Sequence, residues 1–206
     1  MSDPATWAPA ETALLLVDMQ NDFLHADGAY ARGGAKAAPI AALPDRLAPV
    51  AAAMRAAGGW IVSTHFTLVP GKGGTPLISP HLKALRPFLG PGDFAPGSWG
   101  QALIDGLAPA DLSVEKVAYS AFYMSRLEWV LGRAGISRLI VGGIVTNGGV
   151  ASTVRDAHVR DIPVTVLSDG CAAFDPAVHD LHVQALAAVA EIVDCATAVA
   201  RLETAG

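Results

Sequence analysis

Five polar residues stand at, or just beyond, the carboxyl ends of five stretches that read as strands: Asp18, His65, Lys116, Thr146 and Asp169. A carboxylate and an ammonium held together in a partly desolvated cleft perturb each other's proton affinity, which makes Asp18 and Lys116 candidates for acid–base chemistry. A structural ion pair is the plainer use of the same two residues. The second chemical signal is a turn bearing Gly142, Gly143, Gly148 and Gly149. It follows the apolar run Leu139-Ile140-Val141, and from Val150 through Val154 and Ala157 the apolar spacing becomes helical. A strand that turns sharply into a helix leaves backbone N–H groups aimed outward, where the helix dipole favours negative charge or a developing oxyanion. Glycines in such a turn also serve simply to let strand and helix pack closely.

The elements that must position these residues alternate regularly. Residues 12–17 form a continuous apolar run ending at Asp18, residues 60–65 read as a second strand ending at His65, and residues 112–116 as a short third strand ending at Lys116. Further strands are expected at 138–145, 163–168 and 191–194, and helices at 39–57, 101–107, 121–134, 150–160, 178–190 and 196–203. Strands alternating with helices predict an α/β fold, a doubly wound parallel sheet with right-handed crossovers and helices on both faces. In such a sheet ligands sit outside the carboxyl ends of the strands, where all five polar residues fall. Residues 26–38 read as a loop, and residues 66–100 as an irregular insertion rich in Pro and Gly. Long irregular segments inside a domain usually serve as lids, binding loops or interface arms, so Phe94 and Trp99 are expected to cover the site or meet a second subunit.

The 206 residues are expected to form a single domain, long enough for one well-buried core. A hydrophobic content of 52% against 16% charged residues suits a sheet covered on both faces. The net charge of −5 and the lack of a Lys/Arg stripe give no electrostatic reason to bind nucleic acid. No apolar run approaches the roughly 18 residues a membrane span requires, so no membrane partner is expected. The first seven residues carry neither a basic region nor an apolar stretch, and a cytoplasmic location is the expectation. Cys171 and Cys195 lie in unlike contexts and read as reduced, buried thiols.

The segments Leu-Leu-Leu-Val-Asp-Met-Gln-Asn-Asp-Phe, Glu-Lys-Val-Ala-Tyr-Ser-Ala-Phe and Gly-Gly-Ile-Val-Thr-Asn-Gly-Gly-Val resemble the three signature regions of the isochorismatase-like hydrolase superfamily, in the right order. The resemblance runs from about residue 12 to residue 198. It implies a Rossmann-like three-layer sandwich around a six-stranded parallel sheet of order 3-2-1-4-5-6. Its amidase members, among them nicotinamidases, N-carbamoylsarcosine amidohydrolase and ureidoacrylate hydrolases, use an Asp-Lys-Cys triad; its isochorismatases use no cysteine nucleophile. Carried onto this chain, the aspartate falls on Asp18, the lysine on Lys116 and the nucleophile on Gly149, which has no thiol. The family's cis peptide falls on the Val145–Thr146 bond.

Gly149 and the segment from Ser120 to Glu128 resemble the isochorismatases, whereas Thr146-Asn147 follows the amidase pattern. Gln20, Phe23, Tyr119 and Phe122 are adjacent enough to line a substrate pocket, with His65 as a further contact and Val145 and Thr146 at the polarising turn. Asp169 and Arg155 read as structural. His65 has no second ligand close behind it, and His81, His158, His179 and His182 lack metal spacing, so neither metal nor other cofactor is expected. The expected activity is hydrolysis of a vinyl ether or C–N bond in a small molecule by Asp/Lys acid–base chemistry without a cysteine nucleophile. The alternatives are a non-catalytic relative that binds a small ligand, or a cysteine amidase inactivated at position 149. The resemblance and the long loop imply a homodimer or homotetramer.

Overall fold

The computed structural model describes residues 7–205. Six strands, β1 (Thr12–Val17), β2 (Trp60–Phe66), β3 (Leu112–Lys116), β4 (Arg138–Ile144), β5 (Val164–Ala172) and β6 (Glu191–Val193), form one sheet of order β3-β2-β1-β4-β5-β6. Every neighbouring pair is parallel. β1 is central and fully buried, as its unbroken apolar run requires. Its side chains alternate between two cores. Leu14 and Leu16 pack with α4 (Leu43–Ala56) and α9 (Cys195–Ala205), whereas Ala13, Leu15 and Val17 pack with α6 (Leu127–Ala134), α7 (Ala151–His158) and Leu186 of α8 (Pro176–Leu186).

The pairing registers bring the candidate residues to one edge. Val17 lies opposite Thr64 of β2 and Gly143 of β4, and Phe66 opposite Lys116, so Asp18 and Lys116 emerge at the same end of the sheet, two strands apart. β4 approaches β1 so closely that a Cβ at Gly143 would lie 2.2 Å from the Val17 carbonyl oxygen, and its φ of 125° is one that side-chain-bearing residues rarely adopt.

Several expected elements differ. The 39–57 helix is two pieces, α3 (Ala38–Ala41) and α4, divided ahead of Pro44, which has no N–H to continue the ladder. Residues 101–107 are not an α-helix: Asn21 and Ile104 donate backbone N–H bonds that tie the segment to the chain after β1, and only a 3₁₀ turn remains at Asp105–Leu107. The 121–134 helix starts at Leu127, because Met124 takes a left-handed φ of 48° and the Ser125 hydroxyl accepts the Leu127 N–H. β5 runs past Ser168 to Ala172, rejoining β4 beyond a register shift. Residues 26–38 contain the short helix α2 (Ala29–Arg32), and the 66–100 segment contains α5 (Pro80–Leu85). That segment builds a third apolar cluster, with Leu68, Leu89 and Phe94 packed on Ala29 and Tyr30.

Candidate active site

Asp18 is the first residue beyond β1. Its φ of 58° lies in the left-handed region, which Asp tolerates better than bulkier residues, and the turn is held by its N–H to Thr64 O and by the Gln20 N–H to its own carbonyl. The turn projects the carboxylate over the sheet edge. Lys116 ends β3, and its Nζ lies 2.7 Å from Asp18 Oδ2, with the two side chains only 1% and 7% exposed. The ammonium also donates to Ala118 O at 2.9 Å and sits 5.8 Å from the centre of the Phe66 ring. Asp18 Oδ1 is buried without a hydrogen-bond partner among the described residues. Burial raises the Asp18 carboxyl above its ordinary pKa, and the charge and hydrogen bond of Lys116 only partly oppose that.

Gly149 faces the pair from the turn after β4. A Cβ there would lie 3.2 Å from Asp18 Oδ2 and 2.8 Å from Ile144 O. The turn at Thr146–Val150 is π-helical, and the Gly148 and Val150 N–H groups both return to Val145 O. The cis peptide is Ile144–Val145, one bond earlier than the sequence resemblance implied. It falls where β4 has ended and the helical turn has not begun.

Asp18, Lys116 and Gly149 share a cavity of about 300 Å³, a size suited to a small molecule. Ile144, Val145, Tyr119 and Phe23 line it as well. The remaining sequence candidates stand elsewhere. Gln20 is fully buried and clamps the chain: Nε2 donates to Phe66 O and Gln101 O, and Oε1 accepts the Phe66 N–H. His65 turns away, because strand alternation gives the cavity to Phe66; its Nε2 meets Ser63 Oγ at 2.8 Å, and burial lowers its pKa. Phe122 is a core residue beneath the Arg160 guanidinium. Thr146 is buried with its hydroxyl 2.8 Å from His179 Nδ1, so it braces the turn against α8. Asp169 accepts the Cys195 N–H and lies within β5, and Arg155 donates to the Ala151 carbonyl of its own helix. Phe94 is fully buried behind Phe23 and Phe66, and Trp99 is half exposed with its edge on His25. Neither lines the cavity.

Sequence reasoning missed Tyr30, Arg86 and Phe174, which also line the cavity. They come from three segments without apolar periodicity, and only the tertiary packing brings them together. Cys171 and Cys195 are both buried away from this cavity. Among the described residues no cluster of three or more His, Cys, Asp or Glu could hold a metal ion, and no helix is long and apolar enough to cross a membrane.

Comparison with known proteins agrees with this fold. The isochorismatase domain model matches residues 12–197. A ureidoacrylate amidohydrolase RutB from Methylobacterium radiotolerans is 33% identical over 217 aligned residues, covering 98% of this chain and 82% of that protein. A RutB from Pseudomonas syringae pv. syringae is 34% identical over 81% of this chain and 73% of its own length. Among solved structures, a cysteine hydrolase from Pseudomonas syringae pv. phaseolicola superposes with a TM-score of 0.81 at 27% identity, over all of both chains. An N-carbamoylsarcosine amidase from Thermoplasma acidophilum shares the fold with a TM-score of 0.69 at 24% identity, over 90% of this chain and 96% of that one. With its sheet order, its domain match and its hydrolase relatives in agreement, the chain belongs to the isochorismatase family and is a hydrolase.

Proposed function

We propose that the protein hydrolyses a C–N bond of a small amide or ureide by activating water directly, without a covalent acyl-enzyme. The observation that carries this reading is the arrangement around Asp18. Its carboxylate is anchored through Oδ2 by Lys116, its Oδ1 has no hydrogen-bond partner among the described residues, and the residue facing it where the family resemblance puts the nucleophile is glycine. The amidohydrolase names of the relatives favour a C–N bond over a vinyl ether.

Asp18 takes a proton from water as the water oxygen bonds to the substrate carbonyl carbon, and gives it to the leaving nitrogen as the C–N bond breaks. The net reaction adds one water and releases ammonia or an amine. A carboxyl group whose pKa is raised by burial is a stronger base when ionised and a ready acid when protonated, which suits both steps. Lys116 compensates the charge of Asp18 in the cavity, and backbone N–H groups of the turn around Thr146 and Gly149 polarise the carbonyl.

The test is ammonia release from ureidoacrylate and a panel of small amides, with pyruvate release from isochorismate assayed alongside and Asp18→Asn as control. Ammonia that depends on Asp18, with no burst and no hydroxylamine-trappable acyl-enzyme, is the expected result. Pyruvate in place of ammonia would move the activity to the vinyl-ether branch. Neither product from any substrate would leave a ligand-binding protein as the better reading.

A further inference from the structure

The cavity lining carries a second cation to which the proposed hydrolytic steps assign no role. Arg86 follows α5 and lines the same cavity as Asp18 and Lys116. Its Nε donates to the Tyr30 hydroxyl at 3.2 Å and one terminal nitrogen donates to Leu85 O at 2.9 Å. The guanidinium carbon lies 5.6 Å from the Tyr30 ring centre and 5.5 Å from that of Phe174, two rings tilted by only 16° from parallel. A cation resting on two aromatic faces is held in orientation without being neutralised. No carboxylate pairs with Arg86 among the described residues, and Asp18, the carboxylate that lines the cavity, is engaged by Lys116. The cavity therefore holds one uncompensated positive charge in a chain whose net charge is −5.

The remaining donors have the geometry to receive an anion. A guanidinium offers five N–H donors in a planar fork that matches a carboxylate, and two of these are engaged here. Tyr30 accepts from Arg86, which leaves its own O–H to donate, and burial raises its pKa so that the phenol keeps that proton.

We propose that Arg86, together with the Tyr30 hydroxyl, binds a carboxylate at the end of the substrate remote from the bond that is cleaved, so that the enzyme selects acids bearing an amide or ureide over neutral amides. This assignment rests on the hydrolase reading of the same cavity. Arg86 is then a specificity residue: it touches the substrate but takes no part in proton transfer. If it only packed the wall, its contacts with Tyr30 and Phe174 would be the same but the cavity would not discriminate by charge.

Succinamate and succinamide differ only in a terminal carboxylate against a second amide. Calorimetric titration of the wild-type protein with each is expected to show a preference for succinamate of about 10- to 100-fold, the range for a charge-assisted hydrogen bond. Arg86→Met should bring the ratio to about one, and Arg86→Lys should restore part of it. Tyr30→Phe keeps the ring and removes only the hydroxyl, so it tests the subsite even if Arg86→Met does not fold; a few-fold loss of the preference is expected. Equal binding of the two compounds by the wild type, no binding of either, or a ratio that survives Arg86→Met would overturn the proposal. Because the readout is binding, the two readings fail separately. A carboxylate preference without ammonia release would sink the hydrolytic mechanism alone, and ammonia release without the preference would sink the subsite alone.

Discussion

Lys116→Met removes the charge that compensates Asp18 while keeping most of the volume of the side chain. In the native protein Asp18 Oδ2 lies 2.7 Å from Nζ and Oδ1 has no hydrogen-bond partner among the described residues, so the variant leaves a buried carboxylate without the cation paired with it. Breaking a buried pair by removing one partner costs about 3–5 kcal/mol. At about 2–4 °C per kcal/mol for a domain of this size, the melting temperature should fall by about 6–20 °C near neutral pH. The pH dependence has a definite sign. Burial already raises the Asp18 carboxyl above its ordinary 3.8, and losing Lys116 removes the opposing influence, so the group rises further. A carboxyl whose folded pKa is raised stabilises the fold fully below the unfolded value and loses that contribution as pH rises through the folded value. The deficit of Lys116→Met against the wild type should therefore be largest at high pH and shrink as pH falls toward 3.8 and Asp18 becomes neutral. The double variant Asp18→Asn/Lys116→Met, which buries no charge, should melt above Lys116→Met. Thermal unfolding followed by circular dichroism between about pH 4 and about pH 8 measures all three. A single variant that melts within a degree of the wild type, or whose deficit grows on acidification, would refute the account of Asp18 as a charge held ionised by Lys116.

Three further outcomes are expected. Gly149→Ala places a Cβ 2.8 Å from Ile144 O and 3.2 Å from Asp18 Oδ2. It should cost about 1–3 kcal/mol of stability by overpacking and lower turnover by crowding the attacking water, and unchanged kcat would count against water attack at that position. Asp22→Asn trades a carboxylate that accepts the Ala29 and Phe94 N–H groups for an amide with one acceptor oxygen. It should cost about 1–3 kcal/mol and make the 66–100 segment easier to nick with protease, read by limited digestion against the wild type. Cys171, its thiol pushed up to about 12 by burial, and Cys195, also raised by burial, should resist iodoacetamide in the folded protein and react once it is unfolded. Rapid labelling of native Cys171 would show that its environment is more open than the fold implies.

The strands could be read from sequence wherever burial on both faces wrote an unbroken apolar run. β1 and β4 are of that kind; β3, an edge strand with Ser113 and Glu115 exposed, also has the expected ends, and the three set Asp18, Lys116 and the glycine turn in place. The approach of Asp18 to Lys116 follows from the sheet order, which the family resemblance supplied and periodicity could not. What failed has a common cause. Gln20, Asn21 and Asp22 stand beside the candidate aspartate and have the look of site residues, yet their side chains go to Phe66, Gln101, Trp99, Ala29 and Phe94 backbone groups. A polar residue in sequence does not reveal whether it serves a ligand or satisfies buried backbone. The same long-range bonds pulled residues 101–104 out of their expected helix. Arg86 carried no signal because its meaning lies in which rings flank it.

Those anchors divide the labour within the cavity. Asp18, Lys116 and Gly149 stand at the ends of β1, β3 and β4, where flanking core packing fixes their spacing. Tyr30 and Arg86 stand on α2 and just beyond α5, in segments outside the sheet that have their own small cluster around Phe94. The two halves are joined through the Gln20–Asp22 stretch, which follows Asp18 directly and is bonded to the loop at Trp99 and Phe94. In the proposed mechanism, bond cleavage rests on residues at the sheet edge and recognition of the substrate's carboxylate on segments outside the sheet, where sequence can change without disturbing the acid–base pair. If that division holds, substitutions in the 66–100 segment that keep Phe94 and the Asp22 anchors should alter KM among acids of different length while leaving the pH dependence set by Asp18 in place. A shift of that pH profile by a loop substitution such as Leu85→Ala, at an exposed position on the cavity wall, would show that the two halves are coupled.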